Sequence, residues 1–161
     1  MTKLALRLAL LVAIGATIGC DRVTKHIAAT TLAGTPTRSL LADTVRIEYS
    51  ENPGAFLGLG ADWPLRVRTA LFGVGNAVLL FALAVVAMRR RWSRPALLGL
   101  ALFVAGGSSN LLDRFAYGKV VDFMNVGLGP GRTGIFNVAD MAIMLGVGTV
   151  VFAGYRSDTC A

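Results

Sequence analysis

The chain is short of most of what a soluble enzyme uses: one histidine, two cysteines, five prolines and only 16% charged residues in 161. A soluble domain carries roughly 25% charge. Two cysteines exclude a disulfide scaffold, and a 55% hydrophobic content excludes disorder. No internal repeat or low-complexity tract is present. What is abundant is apolar sequence, with a mean hydropathy of +0.64. The formal charge of +7 does not mark a nucleic-acid partner, because the charges punctuate long apolar runs. A small polytopic membrane protein is the expectation.

Crossing a bilayer takes about 20 largely apolar residues. Four stretches qualify: residues 4–28, 67–88, 95–112 and 135–155 of a single membrane domain covering 1–161. The second has a charge-free centre from Thr69 to Met88. Lys3, Arg7, Arg89, Arg90, Arg91, Arg94 and Arg156 fall on one side against Asp158 alone, while the other side is close to neutral. The positive-inside rule then puts both termini in the cytoplasm. Trp92 is expected at the inner interface and Trp63 at the outer one.

Two loops face outward, 30–66 and 115–134. The first alternates like a strand over Thr44–Tyr49 and turns at Asn52-Pro53-Gly54. The second holds Gly127, Gly129, Pro130, Gly131 and Gly134, so its centre is expected to be irregular. The fold class is therefore all-α, four transmembrane helices with a small β-containing outer loop domain. Ile18-Gly19-Cys20 resembles the end of a lipoprotein signal sequence, but Thr17 and Ile18 fit that pattern poorly, and the segment is read as a retained span. Cys20 and Cys160 would lie on opposite sides of the membrane, which argues against a disulfide between them.

Polar residues at the outward ends of the spans are the candidates for chemistry, since charge beside lipid marks function or structural pairing. Asp21 and Lys25 share a helix face at i,i+4, with the acid placed first. Asn110 and Asp113 share a face of span three, where Asp113 is expected to pair with Arg114 or to accept loop N–H groups. Each of these groups also reads as plain structural bracing. Asp122, in Val120-Val121-Asp122-Phe123-Met124, and Asp140, one turn into span four, can both reach the membrane–water boundary. Neither has a histidine or cysteine companion, which disfavours zinc. Two carboxylates in a partly dry site share a proton near neutral pH. That suits aspartyl proteolysis, and on residues alone it suits a proton or cation carrier nearly as well.

Five blocks in order then resemble the bacterial lipoprotein signal peptidase family, the intramembrane aspartyl proteases also called signal peptidase II. They are Asp21-Arg22-Val23-Thr24-Lys25, Glu51-Asn52-Pro53-Gly54-Ala55-Phe56, Gly106 through Arg114, Val121-Asp122-Phe123 and Phe136-Asn137-Val138-Ala139-Asp140. The resemblance implies that Asp122 and Asp140 are catalytic. It also implies that Asp21, Lys25, Asn52, Gly54, Asn110, Asp113, Arg114, Asn137 and Ala139 line or brace the site. It implies no metal or organic cofactor, and a substrate that is the signal peptide of a diacylglyceryl-modified prolipoprotein, cut just before the lipidated cysteine. It further implies the bacterial cytoplasmic (inner) membrane, membrane lipids as surroundings, a site near the outward face and a monomer. A non-cleaving binder of lipidated signal peptides and a small proton-coupled carrier are the alternatives. Two departures bear on specificity: one alanine precedes Phe56 where the family has two, and Ser109 stands where the family has glycine.

Overall fold

A computed structural model describes residues 2–55, 58–89 and 92–158 of the chain. Phe56, Arg90, Arg91 and Cys160 lie outside the described residues. Helix α1 spans Lys3–Thr31, with Thr2 as its N-cap, the Thr2 hydroxyl accepting from the Ala5 amide at 3.2 Å. Strands β1 (Arg38–Leu40) and β2 (Val45–Asn52) follow. Helix α2 runs Leu65–Arg89, and its Thr69–Gly75 stretch is wound as a π-helix. Helix α3 (Arg94–Tyr117) is capped by Ser93 and ends on Gly118, whose φ of 71° is the left-handed conformation glycine adopts freely. Strands β3 (Val120–Leu128) and β4 (Gly131–Arg132) lead to helix α4 (Val138–Asp158).

Among the described residues three helices, α1, α2 and α3, are long and apolar enough to cross a membrane. Val138–Gly154 of α4 is a shorter apolar helix. Helices α1 and α3 both run past their expected ends at Ala28 and Leu112. At Leu112 the expected end falls on Asp113 and Arg114, but Asp113 is buried against Lys25 and paired with Arg22 rather than exposed to water.

The protein is turned inside out relative to a soluble one. Leu8, Leu11, Phe81, Leu145 and Phe152 are each more than half exposed, whereas Asp21, Lys25, Ser109, Asn110, Asp113, Asn137 and Asp140 are buried. Apolar groups face outward and polar groups face one another, as in a bundle solvated by lipid.

The strands form one antiparallel sheet in the order β1-β2-β3-β4. Residues 115–134 thus correct the expectation of an irregular centre: β3 is paired on both sides. Its inward positions, Val120, Asp122, Phe123 and Asn125, are buried without regular alternation, and the following glycines hide the strand in the sequence. Ser50 stands opposite Asp122 in the register. Phe123 packs on Ala28 and Leu32, seating the sheet on the outward end of α1. The β1–β2 turn carries Leu41, Ala42 and Asp43 at positive φ. The Asp43 carboxylate braces it by accepting from Ser39 at 2.7 Å and from Arg46 at 2.8 and 2.7 Å, and the Arg46 hydrogen bonds hold its pKa well below the usual carboxylate range.

Helices α3 and α4 touch through glycine. A methyl on Gly106 would lie 2.3 Å from the Ala139 carbonyl oxygen, and one on Gly146 would lie 2.5 Å from that of Gly99. Gly106→Ala is therefore expected to push the start of α4 away, costing about 1–3 kcal/mol and reducing activity. Gly148→Ala, where a methyl meets nothing within 4 Å, is the control. Equal thermal stability of the two variants would show that the close approach is not needed.

Candidate active site

Two short-range motifs place the carboxylates. Asn137 caps α4: its Oδ1 accepts from the Asp140 amide at 2.9 Å, while Asp140 Oδ2 accepts from the Asn137 amide at 3.1 Å. This is the reciprocal capping box, with aspartate in the position usually held by glutamate. It fixes the Asp140 rotamer at the positive end of the helix dipole. Asn52 makes the second motif. Its Oδ1 accepts from the Gly54 amide at 2.9 Å, and its Nδ2 donates to Ala55 O at 2.9 Å and to Asp122 Oδ2 at 3.0 Å. The tight turn requires Gly54, because a methyl there would lie 2.5 Å from Leu59 O.

The sheet closes the gap between the two. Phe136 exchanges backbone hydrogen bonds with Met124, at 2.9 and 2.8 Å, as α4 approaches. Asn137 is thereby carried beside Asp122, and its Nδ2 donates to Asp122 Oδ1 at 2.6 Å. One asparagine thus holds both carboxylates. Asn110 adds a further donor, from Nδ2 to Asp140 Oδ1 at 2.9 Å.

Behind these lies a buried ion cluster. Lys25 Nζ donates to Asp21 Oδ2 and Asp113 Oδ2, each at 2.7 Å, and to Asn110 Oδ1 at 2.8 Å. All three of its protons are used, which fixes the Asn110 amide with its nitrogen towards Asp140. Asp21 also accepts from the Ala139 amide at 2.8 Å and from Ser109 Oγ at 2.6 Å. The Asp21–Lys25 pair thus forms as its spacing indicates, but its carboxylate also tethers α4. Asp113 corrects its expected pairing: it takes Lys25 and Arg22 instead of Arg114. Arg114 faces the other way, since residues one apart point some 100° from each other on a helix. It donates to Gly54 O at 2.7 and 3.3 Å and to Asn110 O at 3.2 Å.

All eleven residues singled out in the sequence therefore belong to one connected polar network. Asn76 and Phe72 were missed. They line, with Asn110, Arg114 and Asp140, a cavity of about 440 Å³ bounded by α2, α3 and α4. The available signal was Asn76, the one amide inside an otherwise apolar span. A smaller cavity of about 180 Å³ lies on the sheet side, against Ser50, Asn52, Ile135 and Asp122. The two carboxylates thus line different cavities, Asp140 the larger and Asp122 the smaller.

Burial pushes the Asp122 pKa up to about 6, aided by the neighbouring Asp140 carboxylate and opposed by the hydrogen bonds from Asn52 and Asn137. Asp122 can therefore take either protonation state near neutral pH. A raised carboxyl pKa favours the folded protein at low pH. That contribution is present below about pH 4 and is lost as the pH rises through about 6. Asn52→Ala removes a donor to the ionised form, so the limb of the pH–rate profile near 6 is expected to move to higher pH. An unmoved limb in this variant would assign that titration to another group.

Comparison with known proteins agrees with this arrangement. A family model described as Signal peptidase (SPase) II matches residues 13–156. Lipoprotein signal peptidase of Desulforapulum autotrophicum is 35% identical over 136 residues, covering 84% of each chain. That of Moorella thermoacetica is 36% identical over 132 residues, covering 81% of each. A bacterial membrane enzyme solved by the in meso method at 2.3 Å resolution superposes with a TM-score of 0.82 at 24% identity, covering 93% of this chain and 89% of the other; that likeness speaks for the fold alone. The carrier alternative finds no support among these relatives. By a family match over most of its length and by relatives above 30% identity, the chain belongs to the signal peptidase II family of aspartic proteases, which cleave signal peptides from prolipoproteins.

Proposed function

We propose that the protein is a membrane aspartyl endopeptidase that cuts diacylglyceryl-modified prolipoproteins just before the lipidated cysteine, with Asp122 and Asp140 as its catalytic pair. The observation that carries this reading is the single asparagine, Asn137, bonded to both carboxylates. Between them the pair supplies one ionised and one protonated group. The ionised carboxylate takes a proton from water as its oxygen attacks the scissile carbonyl carbon, and the protonated one donates to the carbonyl oxygen. Collapse of the resulting diol, with a proton passed to the nitrogen, breaks the C–N bond. No covalent enzyme intermediate and no cofactor enter these steps.

The flanking cavities suit the two halves of such a substrate. The larger one, lined by Leu71, Phe72, Leu79, Phe103 and Ile143, takes the apolar end of the signal peptide. The smaller one lies beside the chain that follows the cysteine. Lys25, Asn110, Asn137, Asn52 and Arg114 act as positioning residues, with Asp21, Asp113, Gly54 and Ala139 supporting them. In this reading α4 is the fourth span of one domain, both termini lie in the cytoplasm, and the sheet lies on the outward face of a bacterial cytoplasmic membrane. The protein acts as a monomer.

The test is incubation of the purified protein with a synthetic lipidated prolipoprotein peptide, followed by mass analysis of the products. A new amino terminus at the lipidated cysteine is expected. Peptide that binds and stays whole would instead identify a non-cleaving binder.

A further inference from the structure

Apart from the 440 Å³ cavity, a second cleft of about 280 Å³ opens between α1, α3 and the sheet. Its lining is cationic and phenolic. Arg22, Lys25 and Lys119 line it beside His26, Tyr49, Tyr117 and the Asp113 carboxylate, which Arg22 and Lys25 already share. Lys25 has no proton to spare. Arg22 and Lys119 sit at the rim with side chains 40% and 42% exposed, and His26 is exposed. Among the described residues Lys119 is held by Glu51 alone, itself 40% exposed, and surface pairs of this kind are weak. It is free to exchange Glu51 for a stronger anion.

The face of α1 below this cleft supplies the second observation. Gly15, Gly19, Arg22 and His26 follow one another at intervals of four, three and four, so they lie on one side of the helix. A methyl on Gly15 or Gly19 would meet nothing within 4 Å. A track without side chains therefore runs down the helix from the cationic cleft, past the exposed Leu11 and Leu8.

We infer that this face binds one anionic phospholipid of the surrounding membrane, its phosphate between Arg22 and Lys119 and one acyl chain along Gly19 and Gly15. Guanidinium and ammonium groups match the phosphodiester charge. In the topology proposed above, the cleft lies at the outward ends of α1 and α3, the depth of lipid headgroups. A soluble phosphate would use the cleft and have no use for the track. A second copy of the chain would use the glycines and leave the cations idle.

Native mass spectrometry of the full-length protein, after incubation with phosphatidylglycerol and phosphatidylcholine of identical chains, separates these cases. Phosphatidylglycerol is expected to be retained at least about fivefold over phosphatidylcholine, the effect of roughly one basic residue near a headgroup. Lys119→Gln should lower that retention about fivefold. Gly19→Leu should lower retention of both lipids, and glycerol 3-phosphate alone should not be retained. Should Gly19→Leu fail to insert, the surface variant Lys119→Gln carries the test by itself. Equal retention of the two lipids, or retention unchanged by Lys119→Gln, would overturn the inference. So would strong binding of glycerol 3-phosphate alone, or a dimer that Gly19→Leu dissolves without any lipid preference. The readout is lipid mass, so it does not depend on peptidase activity.

Discussion

Asp140→Asn is expected to lower kcat/KM on a lipidated prolipoprotein peptide by at least about 10³-fold, a size in keeping with loss of a positioned acid–base group, while leaving the protein folded. The substitution keeps the shape of the side chain. An amide oxygen at this position can still accept from Asn137 N–H or from Asn110 Nδ2, the donors that now hold the carboxylate at 3.1 and 2.9 Å. Helix α4 also keeps its cap through Asn137 Oδ1 and the Asp140 amide. What is lost is the ability to exchange a proton with water or substrate. The same reasoning applies to Asp122→Asn, with a distinguishing stability readout. The contribution of Asp122 to wild-type stability should fall as the pH rises from about 4 to about 6, because Asp122 is easier to ionise in the unfolded chain. The Asn variant should lack that part of the slope. A variant at Asp140 with near-normal turnover would remove it from the catalytic pair, whatever its stability.

Lys25→Met has the second large effect expected, and here stability moves first. Lys25 is buried with Asp21 and Asp113, which are 0% and 4% exposed. Removing one partner of a buried ion pair costs about 3–5 kcal/mol, because the charge left behind is uncompensated. Asp113 retains Arg22, so the burden falls on Asp21, left with the Ser109 hydroxyl and the Ala139 amide. Activity should fall too, since Asn110 loses the donor that orients its amide towards Asp140. The double variant Lys25→Met with Asp21→Asn is expected to recover part of the thermal stability, because the stranded carboxylate is gone. Additive losses in the double variant would show that Lys25 and Asp21 do not act as a pair. Ser109 fits the same picture. Where the family resemblance has a glycine, this chain carries a fully buried hydroxyl that donates to Asp21, so the departure adds a hydrogen bond to the cluster.

Local spacing made part of this site legible and long-range pairing hid the rest. Asp21 and Lys25, one helical turn apart, are a pairing that helix geometry alone predicts. Lys25 with Asp113 is not, being separated by 88 residues, and the nearer Arg114 was the obvious but mistaken partner. The same limit explains the end of α3. The pattern of hydropathy treats Asp113 as an exit from the membrane, when it is neutralised by Lys25 and Arg22 from α1. Strand β3 escaped notice for another reason. Covered on both faces, it lacks the alternation of a half-exposed strand, and the glycines after it suggested a loop. Sheet register, which sets Asp122 opposite Ser50 and Phe136 beside Met124, depends on contacts that one-dimensional patterning does not contain.

The most direct test is one paired assay: wild type and Asp122→Asn, each given the same prolipoprotein peptide with and without diacylglyceryl on its cysteine, in detergent or lipid. Wild type should cut only the lipidated peptide, immediately before the cysteine, and Asp122→Asn should cut neither while still melting cooperatively. Cleavage that persists in folded Asp122→Asn, or wild-type cleavage indifferent to the lipid, would contradict a carboxylate pair built for lipoprotein signal peptides.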